Sequence, residues 1–265
     1  MPPLRRLRGA LPTPGRRCSC SSAGRPTAPR RASSGPRVEP GLPEQCRATH
    51  IRTVGSGGGP EALELTALPL PWEELGRGDV MLRVVAAGVN EHDVQQRRGH
   101  WPHPPSHSSL PGLEVAGRVV ALGGGVEGQP RLGDTVCALV RGGGYAEYAI
   151  APALHCLPVP PGLSPAQAAC LPLALSSWAA DALPPQLGGL LEPCRFHETQ
   201  PTTPLRPLPE LHAATTALLQ QGALTIAIDS AWALEDVDHA HRRFESGEAQ
   251  GRVVLLLEAP EDTQS

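Results

Sequence analysis

Residues 110–148 read LPGLEVAGRVVALGGGVEGQPRLGDTVCALVRGGGYAEY. Three short apolar runs stand in and just beyond this stretch: Val115–Leu122, Asp134–Leu139 and Tyr145–Ile150. Glycines at 117, 123–125, 128, 133 and 142–144 fall where the chain must turn tightly or let another backbone come close. Short strands with evenly spaced turns predict a small, strongly bent β-barrel or sandwich. Gly123–Gly128 also spells G-x-G-x-x-G after a strand, the spelling of a dinucleotide-binding turn. Such a turn must open a helix whose N-terminus faces the pyrophosphate. Here Gln129, Pro130 and then another strand follow, so the expectation is a corner between strands.

Upstream, Val80–Ala86 (VMLRVVA) reads as a buried strand, and Thr49–Val54 and Ala62–Leu68 read as a hairpin about the turn Gly55–Pro60. Gly88 to Asn90 turns the chain, and Glu91–Arg98 has room for about two helical turns. Downstream, Ser164, Pro165 and Gln167 make a helix start with a capping box, and Ala166–Trp178 continues it with a kink at Pro172. Residues 179–204 carry seven prolines and glycines and read as a linker. A helix over Leu208–Gln221, a strand over Leu224–Ile228, a helix over about Glu235–Ser246 and an apolar strand over Val253–Leu257 close the chain. The Glu235–Ser246 helix places Val237, Ala240, His241 and Phe244 on one face. The fold class expected is mainly β with helices (α+β).

Net charge is −3, too mild to predict a nucleic-acid partner. All 23 basic residues are arginine, so Schiff-base and lysine general-base chemistry are closed to this chain. The seven cysteines form no paired C-x-x-C knuckle, which predicts neither a disulfide scaffold nor structural zinc. No apolar run approaches the roughly 18 residues that a membrane helix needs, and no membrane association is expected. His100, His103 and His107 stand in a proline-rich loop without a neighbouring ligand at metal spacing; an exposed, substrate-facing loop is expected. Residues 1–46 hold nine arginines before the first acidic residue, Glu39. Two readings stay open there: a mitochondrial presequence, or a low-complexity leader on a cytoplasmic protein.

Several segments together resemble the medium-chain dehydrogenase/reductase superfamily. They are Glu61–Leu65, Gly78–Val80, Ala87–Asn90 with Asp93, Pro111–Glu114 with Gly117, Gly133–Asp134, Gly143–Tyr148 and Pro160–Ser164. Ile228–Asp229, Leu234–Arg242 and Gly251–Leu255 resemble the family's closing segment. The branch that the wording resembles is the zinc-free quinone oxidoreductases, within it the p53-inducible ones. Zinc enzymes of the family carry cysteine where this chain has Asn90 and histidine where it has Leu113; a leucine cannot ligate zinc and an amide does so poorly. The resemblance implies a GroES-like barrel, a Rossmann domain, and C-terminal strands that return to the barrel. It implies zinc-independent hydride transfer from NADPH to a quinone or other activated alkene. Asn90, Asp93 and Trp101 are the catalytic residues so implied, with Asn90 and Asp93 lining the nicotinamide cleft and Asn90 and Ser177 binding cofactor. Where the p53-inducible relatives carry a tyrosine after a run like Gln95–Gly99, this chain has Trp101, a ring without a hydroxyl.

The family would run its dinucleotide-binding domain between Trp178 and Leu205, and this chain has 26 residues there. One βαβ unit takes about 30 or more. The domain organisation expected is therefore a leader (1–46), a GroES-like catalytic domain (47–178), a linker at the site of a deleted Rossmann domain (179–204), a returning C-terminal segment (205–258) and a tail (259–265). The chain alone is expected to be inactive or nearly so, and the alternative to a quinone oxidoreductase is a truncated, non-catalytic form that acts if at all as a partner-binding GroES-like module. Loss of the covering domain would expose apolar surface along Ala166–Trp178, from which poor solubility or homo-oligomer formation is expected.

Overall fold

The sheet turns on one central strand, β4 (Asp79–Gly88), whose sequence DVMLRVVAAG is apolar toward both faces and buried except at Arg83 and Val85. The computed structural model describes residues 35–52, 58–100, 108–173, 216–223 and 225–257, all within one compact unit, Ser33–Ser265. Along one side β4 pairs antiparallel with β5 (Glu114–Leu122). Along the other it changes partner halfway. Asp79–Arg83 pairs with β7 (Tyr148–Pro152), and Ala86–Gly88 pairs with β10 (Arg252–Leu256), with a register slip in β4 between Val84 and Ala86. That change of partner brings the C-terminal strand against the exit of β4, where the chain enters its first helix.

The main sheet runs β8 (Cys156–Pro158), β6 (Thr135–Leu139), β5, β4, β10, β9 (Ile228–Ala233), with β1 (Arg37–Val38) paired to β5. β9 and β10 are parallel, and the other pairs are antiparallel. A separate hairpin of β2 (Gln45–Ile51) and β3 (Leu63–Pro69) is tied to the rest by a bridge between Ala48 and Ala146. The helices are α1 (Glu91–Arg97), α2 (Pro165–Ala169) and α3 (Val237–Glu245). The architecture is the α+β arrangement expected.

One core lies between the sheet and the C-terminal segment. Val80, Leu82, Val115 and Val119 meet Leu234, Val237, Ala240 and Leu255 there. Burying a Val or Leu side chain stabilises by about 1.5–3 kcal/mol, so α3 is bound into the domain by its apolar stripe. On the opposite face Ala168 and Ala169 of α2, and Leu171 just beyond it, pack against Ala86, Ala116 and Val254, with Leu218 and Leu219 alongside.

Four expectations change. Arg37–Val38, assigned to the leader, pairs with Ala121 and Leu122, and Gln45–Cys46 already belongs to β2, so the folded domain begins before residue 47. The α2 helix ends at Ala169 with Cys170 as its cap, ahead of Pro172; Leu171–Leu173 are helical again, and the rest of the stretch to Trp178 lies outside the described residues. The penultimate strand is Ile228–Ala233 rather than Leu224–Ile228, because pairing with β10 selects it over the more apolar segment before it. Tyr145–Glu147 turns to the hairpin instead of starting β7: the Thr49 amide donates to the Tyr145 carbonyl and the Glu147 amide to that of Arg47. The Gly123–Gly128 turn is the corner expected. A Cβ at Gly123 would stand 2.0 Å from the Gly76 carbonyl oxygen, Gly125 and Gly128 have φ of 81° and 84°, and β6 follows.

Candidate functional site

Gly88 leaves β4, the Val89 amide donates to Val253 of β10, and Asn90 then stands in extended backbone at the head of α1. Its own amide donates to Asp93 Oδ2 at 2.9 Å, which closes the first turn. The Asn90 side chain is locked from both ends. Nδ2 donates to Glu114 Oε1 at 3.0 Å, and Oδ1 accepts from Arg252 Nη2 at 2.7 Å. Arg252 Nη2 also donates to Glu114 Oε1 at 2.5 Å, and the Leu173 amide donates to Glu114 Oε2 at 2.9 Å. A fully buried carboxylate thus has its counter-charge and its hydrogen bonds inside the protein. Burial raises the Glu114 carboxyl above its ordinary value, and the guanidinium of Arg252 pulls against that rise.

Asp93 lies beside Asn90 but in a different role from the one expected. It is 0% exposed. Oδ1 accepts from the Gly112 amide at 3.0 Å, and Oδ2 accepts from the Tyr145 hydroxyl at 3.0 Å as well as from Asn90. Burial raises its carboxyl to about 7, against the amides of Asn90 and Gly112 and the hydroxyl of Tyr145. With its acceptor oxygens satisfied internally, Asp93 holds the Asn90 turn together rather than lining an open cleft. Trp101 and Ser177, and the loop residues His103 and His107, lie outside the described residues. His100 is exposed, with Nδ1 3.1 Å from Gln95 Oε1.

Gly112 is the glycine on which this geometry depends. Its φ is +96°, and a Cβ there would stand 2.6 Å from both the backbone nitrogen and Cδ1 of Tyr145. Gly112→Ala is expected to push Tyr145 off Asp93 and to destabilise the domain by about 2 kcal/mol or more. Urea unfolding of the variant against wild type checks this, and equal midpoints would speak against it.

Sequence reading missed Glu114 and Arg252 as site residues although both stand in the motifs. A signal was there: each is a charge at the first position of a largely apolar strand, EVAGRVVAL and RVVLL, and the other charge in the first strand, Arg118, is exposed. Strand cores seldom hold such a charge without a partner.

A dinucleotide requires an open helix N-terminus for its pyrophosphate. The head of α1 is closed by Asn90 and Asp93, and that of α2 by Ser164 and Gln167, whose amides donate to each other's side chains at 3.3 and 3.0 Å. The head of α3 carries Glu235, Asp236 and Asp238, which repel an anion. Among the described residues no helix N-terminus fits a pyrophosphate, and no group of three His, Cys, Asp or Glu side chains is placed to hold a metal ion.

Residues 76–161 match the family model of the alcohol dehydrogenase GroES-like domain. Over 116 residues the chain is 34% identical to mouse synaptic vesicle membrane protein VAT-1 homolog-like, covering 44% of this chain and 27% of that protein. Over 101 residues it is 38% identical to the quinone oxidoreductase of Lama guanicoe, covering 37% and 29%. The chain thus spans less than a third of the length of these curated relatives. Its fold superposes on the crystal structure of the human VAT-1 homolog-like protein with a TM-score of 0.64, at 20% identity, over 81% of this chain and 99% of that one.

Proposed function

We propose that the chain, whose residues 76–161 match the alcohol dehydrogenase GroES-like domain, is a member of the medium-chain dehydrogenase/reductase superfamily, and that it is the substrate-side barrel of a zinc-independent, NADPH-dependent quinone oxidoreductase that has lost its nucleotide-binding domain. The observation that carries the reading is the state of the three helix N-termini that lie among the described residues: two are closed by their own caps and the third is acidic. The 26 residues of 179–204 are too few to supply another through a βαβ unit. The chain alone therefore transfers hydride poorly or not at all.

The zinc-independent part of the reading rests on Asn90, Glu114 and Arg252. A buried carboxylate beside the Asn90 position already has a cation in Arg252, so burying it needs no metal ion. In a complete enzyme NADPH would supply the hydride. The residues of this chain would hold Asn90's carboxamide in one orientation, Oδ1 fixed by Arg252 and Nδ2 by Glu114, for a quinone-like small molecule. Trp101 and Ser177 belong to the proposed site on the resemblance alone. The proposal extends to a homo-oligomer formed through the apolar face around α2, for which light scattering is the test. It also extends to a mitochondrial location, or a cytoplasmic one if residues 1–46 do not direct import when fused to a fluorescent reporter.

The test is a chimera. Inserting the corresponding central domain of the Lama guanicoe quinone oxidoreductase between Trp178 and Leu205 is expected to give quinone-dependent NADPH consumption, with none from the chain alone. Turnover by the unmodified chain would count against the proposal.

A further inference from the structure

Outside the triangle of Asn90, Glu114 and Arg252, a second line of buried polar groups joins three distant parts of the chain. Arg97 Nη1 lies 3.1 Å from His241 Nδ1, and His241 Nε2 lies 3.2 Å from the Tyr145 hydroxyl. The hydroxyl lies 3.0 Å from Asp93 Oδ2, which also accepts the Asn90 amide. Arg97 is anchored at its outer end by two bonds of 2.7 Å to the Glu245 carboxylate. Asp93, Tyr145 and His241 are 0% exposed and Arg97 1%.

Donor and acceptor chemistry fixes the imidazole and hydroxyl protons in this line. A guanidinium only donates, so His241 Nδ1 must present its lone pair to Arg97. A neutral imidazole then carries its proton on Nε2 and donates it to the Tyr145 oxygen. The Tyr145 proton is left for Asp93, whose Oδ2 accepts it. The other tautomer would set a ring N–H against an arginine N–H. The Tyr145 ring meets the imidazole edge-on, centroids 5.8 Å apart at 87°, which holds both rings in place.

We infer that His241 is a positioning residue for the Asn90 turn: as the Nε2–H tautomer it orients the Tyr145 hydroxyl onto Asp93, and Asp93 in turn holds the amides of Asn90 and Gly112. The C-terminal helix α3 is thereby part of the site and not only its cover. Its meaning for catalysis rests on the role proposed for Asn90; the proton arrangement does not.

The test uses the full chain and needs neither cofactor nor quinone, so its failure is separate from failure of the proposed activity. Ring ¹⁵N spectra of histidine-labelled protein, with the His241 signal assigned by its loss in His241→Gln, are expected to show Nδ1 bare and Nε2 protonated at neutral pH. An Nδ1–H tautomer or an imidazolium would overturn the inference. Amide hydrogen exchange at Asn90 and Gly112 is expected to rise about tenfold in His241→Phe, relative to the Val119 amide of β5, and to return toward wild type in His241→Gln, which keeps a donor for Tyr145. Unchanged exchange at both amides in His241→Phe would also overturn it. Should His241→Phe not fold, the tautomer seen in the wild-type spectrum decides the question.

Discussion

Arg252→Met is expected to destabilise the domain by about 3–5 kcal/mol, the cost of leaving a buried carboxylate without its counter-charge. Glu114 is fully buried, and Arg252 is its only cationic partner among the described residues. Its other bonds, from Asn90 and from the Leu173 amide, come from neutral donors. The pair itself need not add net stability, since taking two charges from water offsets much of their attraction. The double variant Glu114→Gln with Arg252→Met removes both charges and is expected to recover most of the loss. Urea unfolding of the single and double variants measures this. If the double variant is as unstable as the sum of the singles, the charge argument is wrong and packing must explain the effect.

Acid sensitivity is expected to trace to His241. Burial, and secondarily the charge of Arg97, lower this imidazole from 6.5 to about 3. An unfolded chain takes up the proton near 6.5, and the folded one refuses it until about 3. Its stabilising contribution is therefore complete above 6.5 and is lost as pH falls toward 3. At about 1.4 kcal/mol per pKa unit, roughly 2 kcal/mol is gone by about pH 5. The groups that face His241 are Arg97 from α1, Tyr145 from the segment before β7 with Asp93 behind it, and Glu245 behind Arg97.

Asp93 works in the opposite direction. Burial raises it from 3.8 to about 7, so its contribution is complete below about 4 and is lost as pH rises through 7. In wild type the two trends partly cancel. In His241→Gln only the second remains, and the variant is expected to gain stability relative to wild type as the pH falls from about 7 to about 5. Unfolding curves at the two pH values decide it; a constant difference between the proteins is the contrary result.

Much of the fold was legible because it is local. The apolar runs of β4, β5 and β10 and the Ser164 capping box name themselves, and the glycine turn at Gly123–Gly128 was separated from a nucleotide turn by the strand that follows it. Asn90 and Asp93 came from the resemblance, and the structure brings them together through one hydrogen bond. What lay hidden depends on distance along the chain. Arg252 reaches Glu114 across 138 residues and Asn90 across 162, and His241 meets Arg97 across 144. No periodicity encodes such pairs. β9 was displaced for the same reason: Ile228–Ala233 (IDSAWA) is too polar to read as a strand until β10 is there to pair with it. Asp93 changed role because burial, which the sequence does not show, separates a cleft residue from a buried brace.

Whether the chain holds a dinucleotide is decided by titrating NADPH and following thermal unfolding together with nucleotide fluorescence. With the α1 and α2 N-termini capped, that of α3 acidic and only 26 residues between Trp178 and Leu205, neither signal is expected to change. A site of micromolar affinity would add about 2.7 kcal/mol of stability at a hundredfold excess over its dissociation constant. Stabilisation of that size, saturating with NADPH, would contradict the proposed loss of the nucleotide-binding domain.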